Sequence, residues 1–456
     1  MKNYKVRIAV SIAAFVFLSL AALEIMYSIL NSGENNFFLL KEGTNGKEVV
    51  FNYSLLNKYY NNVTSTPYNF CTSFDLKKHG NVYRVFLLGE ASVSGWPYST
   101  NQSLQKKIEK ITGENHKGKS AEIITLSFAG FNSSQALDLV KEIFEYKPDL
   151  IIIYTGHNEF YGYNGCTTTY GKTNLFITEA VENIFIRSGI IKTISYDSKY
   201  DDLEVLLPLN AGEKILHPDQ KKYVEIKEQF FTNISKIASL CKENKTELVI
   251  STLADNYMLP PVGVMNLSEN ISADLIYNNA RMALMRDGDQ NEALNLFQKS
   301  KDMDALRLRI PEEFGAGIKQ ISSEQKILLA DLKSEFMKQS TSRIPGNDLF
   351  GDYFHPNEKG LEIIARVYAE IILDRIGKNK SAVQNETETD QFTKDNSIET
   401  AGDLLLARMR IDRSLNLLKE QNFFQSSEWI PNSKYRFEQN KNSGFEPVHE
   451  SYNMGE

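Results

Sequence analysis

Between Val82 and Ala330, short apolar runs alternate with longer amphipathic stretches, and this alternation constrains the fold more than any other feature of the chain. Runs of strand length at Val82–Leu88, Glu122–Ser127, Leu150–Thr155, Glu247–Leu253 and Lys326–Ala330 are bounded by turn residues. Helical periodicity fills the gaps at Gln102–Ile111, Ser134–Glu145 and Asp219–Cys241. Strands separated in this way by helices predict an α/β fold whose parallel sheet is covered on both faces. Such sheets bind ligands outside the carboxyl ends of their strands.

Four stretches are expected near that edge: "GEASVSG" (Gly89 to Gly95), "TLSFAGFNSS" (Thr125 to Ser134), "YTGHNEFYG" (Tyr154 to Gly162) and "GDYFHPNEKG" (Gly351 to Gly360). Each has a plain structural reading as a turn or a helix start. Together they offer more. Asp352 and His355 lie three apart in one turn, a spacing that lets a carboxylate hold an imidazole. Asn158 can offer a side-chain N–H, and the Thr125 to Ser134 loop a backbone N–H, to a developing oxyanion.

These residues resemble the SGNH (GDSL-type) hydrolases. That family's Gly-Asp-Ser block corresponds to Gly89-Glu90-Ala91 with Gly95, and its Asn-x-Gly-x-x-Gly block matches Thr125, Ser127 and Gly130 loosely. Gly-x-Asn-Asp corresponds to Gly156-His157-Asn158-Glu159, and Asp-x-x-His to Asp352 and His355. The resemblance covers about residues 81–376. It is nearest to a membrane-anchored branch with "GHNEFYG"-like loops, a "DALRxR" segment and a tetratricopeptide-like stretch. It implies a three-layer α/β/α flavodoxin-like domain and an ester hydrolase or acyltransferase working through an acyl-serine at position 91. His355 would be base and then acid, and Asp352 its orienter. The oxyanion hole would comprise Asn158 and the N–H groups of Ser127 and Ala91. No metal or other cofactor is implied.

Ala91 breaks the pattern, because alanine has no oxygen to attack with. Three explanations stand: an engineered Ser→Ala change, a natural loss that leaves a binding protein for an acylated or glycan ligand, or attack by Ser92. A one-residue slip turns a side chain away from its former direction, which weighs against Ser92. The intact Asn158, Asp352 and His355 weigh against a long-standing loss. Trp96, Phe160 and Tyr161 are read as an aromatic substrate rim, the alternative being that they pack the loops together. Arg307 and Arg309 either bind an anionic group or pair with carboxylates such as Glu312 and Glu313.

Lys2, Lys5 and Arg7 precede an apolar stretch, Ile8 to Leu30, interrupted only by Glu24. A bilayer core needs about 20 apolar residues as helix, so this stretch is expected to span it with the N-terminus in the cytoplasm. A signal peptide cleaved near Ser19-Leu20-Ala21 is the alternative. Either places the remaining chain outside the cytoplasm, in the periplasm or at the cell surface. The expected organisation is residues 1–30 as cytoplasmic start and anchor, 31–80 as a connecting region and 81–376 as the hydrolase domain. Within that domain, 272–310 reads as a tetratricopeptide-like helical hairpin offering a surface to a protein partner. Residues 377–399 read as a linker, and 400–456 as a helix with an irregular tail. The net charge of −7 argues against nucleic-acid binding. Three cysteines, Cys71, Cys166 and Cys241, are too few for a disulfide framework or a zinc site, although one pair remains open.

Overall fold

The computed structural model describes residues 38–59, 70–98, 103–113, 120–128, 130–163, 165, 216–263, 266–268, 271–287, 289–377 and 407–412, with residues 15 and 19. Most of the expected membrane span, residue Cys166, the 377–399 linker beyond residue 377 and most of the C-terminal region lie outside these. No helix among the described residues is long and apolar enough to cross a membrane.

The central sheet has six strands: β1 (Phe70–Cys71), β2 (Val82–Gly89), β3 (Ser120–Ser127), β4 (Leu150–Tyr154), β5 (Glu247–Ser251) and β6 (Leu328–Ala330). Their spatial order is β6-β5-β4-β2-β3-β1. All neighbours are parallel except β1, which runs antiparallel along the β3 edge. Without β1, the parallel strands stand in the 2-1-3-4-5 order of flavodoxin-like sheets. The sequence LIIIY of β4 is buried throughout, as expected of a strand covered on both faces.

Right-handed crossovers then dictate the layers. The chain moves one way across the sheet from β2 to β3, and its connecting helix α2 (Leu104–Gly113) lies on one face. It then reverses, and α3 (Ser133–Ile143), α4 (Lys221–Glu243) and α7 (Glu312–Gln325) lie on the other. Thus α2 packs with α9 (Glu358–Arg375), which also meets α8 (Leu332–Gln339), while α4 packs with both α3 and α7. Between β5 and α7 stand α5 (Ala273–Met282) and α6 (Gln290–Asp302), which pack on each other around Tyr277, Ala280, Ala293 and Phe297. The Asp289 carboxylate starts α6 by accepting the N–H groups of Asn291 and Glu292.

Leu40–Glu42, Glu48–Phe51 and Phe74–Asp75 form a separate three-stranded sheet, and β1 extends the main one. Two-residue strands show no period to read, so their pairing was invisible in the sequence. Cys71 and Cys241 are free thiols whose pKa burial pushes up to about 12.

Candidate active site

The reversal of direction leaves a crevice beside the carboxyl ends of β2 and β4, where Gly89 is in register with both Ser127 and Tyr154. Gly89 is required there: a Cβ would lie 2.6 Å from the Tyr154 carbonyl oxygen. The turn continues into α1 (Ala91–Ser94) and closes at Gly95 with φ 91°, a left-handed conformation that glycine adopts without strain. Ala91 is the first residue of α1 and is half-buried. Its carbonyl accepts the Trp96 N–H at 3.1 Å and the Ser94 hydroxyl at 2.6 Å.

Asp352 and His355 meet in the turn before α9. Asp352 Oδ2 lies 2.7 Å from His355 Nδ1, and Oδ1 accepts the backbone N–H groups of Phe354 at 3.0 Å and His355 at 2.8 Å. Burial alone would raise the Asp352 pKa, but His355 and the two N–H donors outweigh it and hold the carboxyl below its ordinary value. The turn is itself tied down. Asn256 donates to the Asp352 carbonyl at 3.0 Å, and Asn357 caps α9 through the Gly360 N–H at 3.1 Å.

The two loops touch. The Trp96 ring lies 4.1 Å, centroid to centroid, from that of His355, and the Tyr98 hydroxyl accepts the Glu358 N–H at 3.0 Å. Arg410, in the short helical stretch 407–412, donates to the Pro97 carbonyl at 2.6 Å and adds a further tie from the C-terminal region.

Other residues singled out in the sequence fall as follows. Ser127 ends β3, and its hydroxyl donates to the Glu90 carbonyl at 2.7 Å. Asn158 is buried and donates through Nδ2 to the Phe131 carbonyl at 3.1 Å, joining the loops after β3 and β4. Ser92 is 1% exposed, its hydroxyl turned inward beside the Tyr154 phenol.

The aromatic rim requires correction. Trp96 does flank His355, but Phe160 and Tyr161 belong to the core. Phe160 is fully buried between Tyr223 of α4 and Phe314 of α7, and the Tyr161 hydroxyl accepts the Arg307 N–H at 2.9 Å. The loop after β4 turns under the helices, where aromatic bulk fills the interior. Of the two arginines, Arg309 pairs with a carboxylate as expected, but the carboxylate is that of Asp304 rather than Glu312 or Glu313. Arg309 meets Asp304 at 3.3 Å and the carbonyls of Asn256 and Leu259, while Arg307 donates to the carbonyls of Leu216 and Asp302. Glu312 is taken by Lys301 and Lys333, and Glu313 by Lys227 and Tyr223.

Sequence reasoning missed a buried charge chain under the site. Glu90 Oε1 accepts the N–H groups of Gly156 at 2.5 Å and His157 at 2.8 Å, and Oε2 lies 3.1 Å from His157 Nδ1. His157 Nε2 meets Asp255 at 2.9 Å, and Asp255 meets Lys301 at 2.7 Å. One signal was legible: Asp255 lies in the loop that follows β5, as Glu90 and His157 lie in the loops that follow β2 and β4.

No family model matches the chain, and no curated protein matches it. Solved structures similar to it include a GDSL-like lipase from Bacteroides thetaiotaomicron, 14% identical, with TM-score 0.33, covering 64% of this chain and 89% of that one. An acetylxylan esterase from Geobacillus stearothermophilus is 11% identical, with TM-score 0.33, covering 65% of this chain and 95% of its own.

Proposed function

We propose that this chain carries the site of an SGNH-type ester hydrolase or acyltransferase, completed when serine occupies position 91. One observation carries the reading. The Asp352 carboxylate is fixed by two backbone N–H groups and holds His355 Nδ1 at 2.7 Å, while the same imidazole packs on Trp96 of the loop that bears position 91.

Asp352 fixes the proton of neutral His355 on Nδ1, which leaves Nε2 as base. With serine at 91, Nε2 takes the hydroxyl proton as Oγ bonds to the ester carbonyl carbon. The oxyanion is held by the N–H groups of position 91 and Ser127 and by the Asn158 amide, which has a second N–H besides the one given to Phe131. The imidazolium then returns the proton to the departing alkoxide, leaving an acyl-serine. Water, or an acceptor hydroxyl in the transferase case, gives its proton to His355 as its oxygen bonds to the acyl carbon, and the imidazolium then passes that proton to the serine Oγ as the acyl–serine bond breaks. The substrate is an acylated small molecule or glycan. The domain stands outside the cytoplasm on the anchor at residues 8–30, with the 272–310 hairpin offered to a protein partner.

A second reading is favoured by Ala91 itself: as given, the chain has no nucleophile at this position and serves as a binding protein in the same crevice. Ala91→Ser decides between them. The restored protein should hydrolyse p-nitrophenyl acetate and take a serine-directed fluorophosphonate at position 91, and His355→Ala should abolish both. Normal folding with neither reaction would leave the binding protein as the better reading, and labelling of the unmodified chain at Ser92 would move the nucleophile by one residue.

A further inference from the structure

His157 is buried to within 2% of full burial, and both ring nitrogens face carboxylates, Glu90 at 3.1 Å and Asp255 at 2.9 Å. A neutral imidazole has one N–H and one lone pair, so it cannot satisfy two ionised acceptors. Each carboxylate also takes donors from elsewhere. Glu90 accepts two backbone N–H groups on its other oxygen, and Asp255 accepts Lys301 Nζ at 2.7 Å. Beyond them, Lys301 also meets Glu312 at 2.7 Å, and Glu312 pairs with Lys333. With His157 protonated, the signs alternate along the chain from Glu90 to Lys333 and the buried charges cancel. With it neutral, one negative charge is left uncompensated in the interior, which is costly.

Two arms run from this ring to the two halves of the candidate site. One passes through Glu90, the residue before position 91, whose own N–H donates to the Tyr154 carbonyl at 3.2 Å. The other passes through Phe354, which stacks on His157 at 4.7 Å with 20° between planes and meets the His355 ring at 4.1 Å, tilted by 37°. Phe354 also gives its N–H to Asp352.

We propose that His157 is a positioning residue, a buried imidazolium that clamps Glu90 and supports Phe354 and so holds position 91 and the Asp352–His355 pair in one fixed arrangement. The inference rests on the reading of position 91 as the nucleophile's place. The charged and titratable groups around the ring are Glu90 and Asp255 in contact, Lys301 and Glu312 beyond Asp255, and Glu159 and Tyr154 close to Glu90. Burial opposes the charge on His157, but Glu90 and Asp255 outweigh it and push its pKa up to about 9.

The test has two arms. On the unmodified full-length protein labelled with 15N at histidine, both His157 ring nitrogens should show protonated imidazolium shifts at neutral pH. His157→Gln should move the His355 ring and Trp96 indole resonances. In the Ala91→Ser background, His157→Gln and Glu90→Gln should each lower kcat by roughly 10- to 100-fold with KM little changed, the scale of a site displaced by about an ångström. Combining them should cost no more than the worse of the two, since both break one link. A neutral His157 ring, or kcat within twofold in both variants while His355→Ala abolishes turnover, overturns the proposal. If either variant does not fold, the imidazolium shifts and the remaining variant decide. If Ala91→Ser is itself inert, the functional reading fails, and the clamp stands or falls on the resonances of the unmodified protein.

Discussion

Replacing Asp352 by asparagine in the Ala91→Ser protein should nearly abolish turnover while leaving the fold in place. The geometry allows the new amide one orientation. Its oxygen must take the place of Oδ1, because that atom accepts two backbone N–H groups, from Phe354 and His355. The amide nitrogen then falls where Oδ2 stood, 2.7 Å from His355 Nδ1, and donates to it. Nδ1 becomes the acceptor, so the neutral ring carries its proton on Nε2 and has no lone pair for the serine proton. The same exchange in a serine-histidine-aspartate site lowers kcat by about 10⁴-fold, which corresponds to about 5.5 kcal/mol of barrier. Stability should fall far less, by about 1.5–3 kcal/mol for one charged hydrogen bond. Steady-state hydrolysis of p-nitrophenyl acetate gives the kcat ratio, and urea unfolding gives the stability. A variant that keeps more than a tenth of the Ala91→Ser activity would show that Asp352 does not set the tautomer of His355.

Phe160→Ala should destabilise the protein by about 3–5 kcal/mol in urea unfolding without shifting acyl-chain preference in the Ala91→Ser background, because Phe160 is a core residue. The His157 pKa rises from 6.5 unfolded to about 9 folded, so its contribution to stability is complete below about pH 6.5 and is lost as pH rises through about 9. At about 1.36 kcal/mol per unit this amounts to at most about 3.4 kcal/mol, and the decline of the urea midpoint over that window should flatten in His157→Gln. Protease added to spheroplasts should digest the chain from residue 31 onward and spare its N-terminus. A soluble product beginning near residue 22 would instead mark a cleaved signal.

The five parallel strands and the helices between them were legible in the residues, because a strand buried on both faces has to be apolar along its length, as β4 is. The sequence also placed Asp352 and His355 together, since three residues in one turn leave little freedom. Contacts between distant segments were decided only by the tertiary structure. Trp96 and Phe160 read alike as aromatics of a rim, yet what surrounds Phe160 comes from α4 and α7, many residues away. The partners of Arg307 and Arg309 likewise depend on how residues 256–259 and 302–309 fold back on each other. The clearest case is His157. Between Gly156 and Asn158 it is an ordinary loop histidine, and its charge is fixed only when packing brings Glu90, 67 residues before it, and Asp255, 98 residues after it, to opposite sides of one ring. Local periodicity records that a side chain is buried. Its protonation depends on which charges are buried with it, and those arrive from elsewhere in the chain.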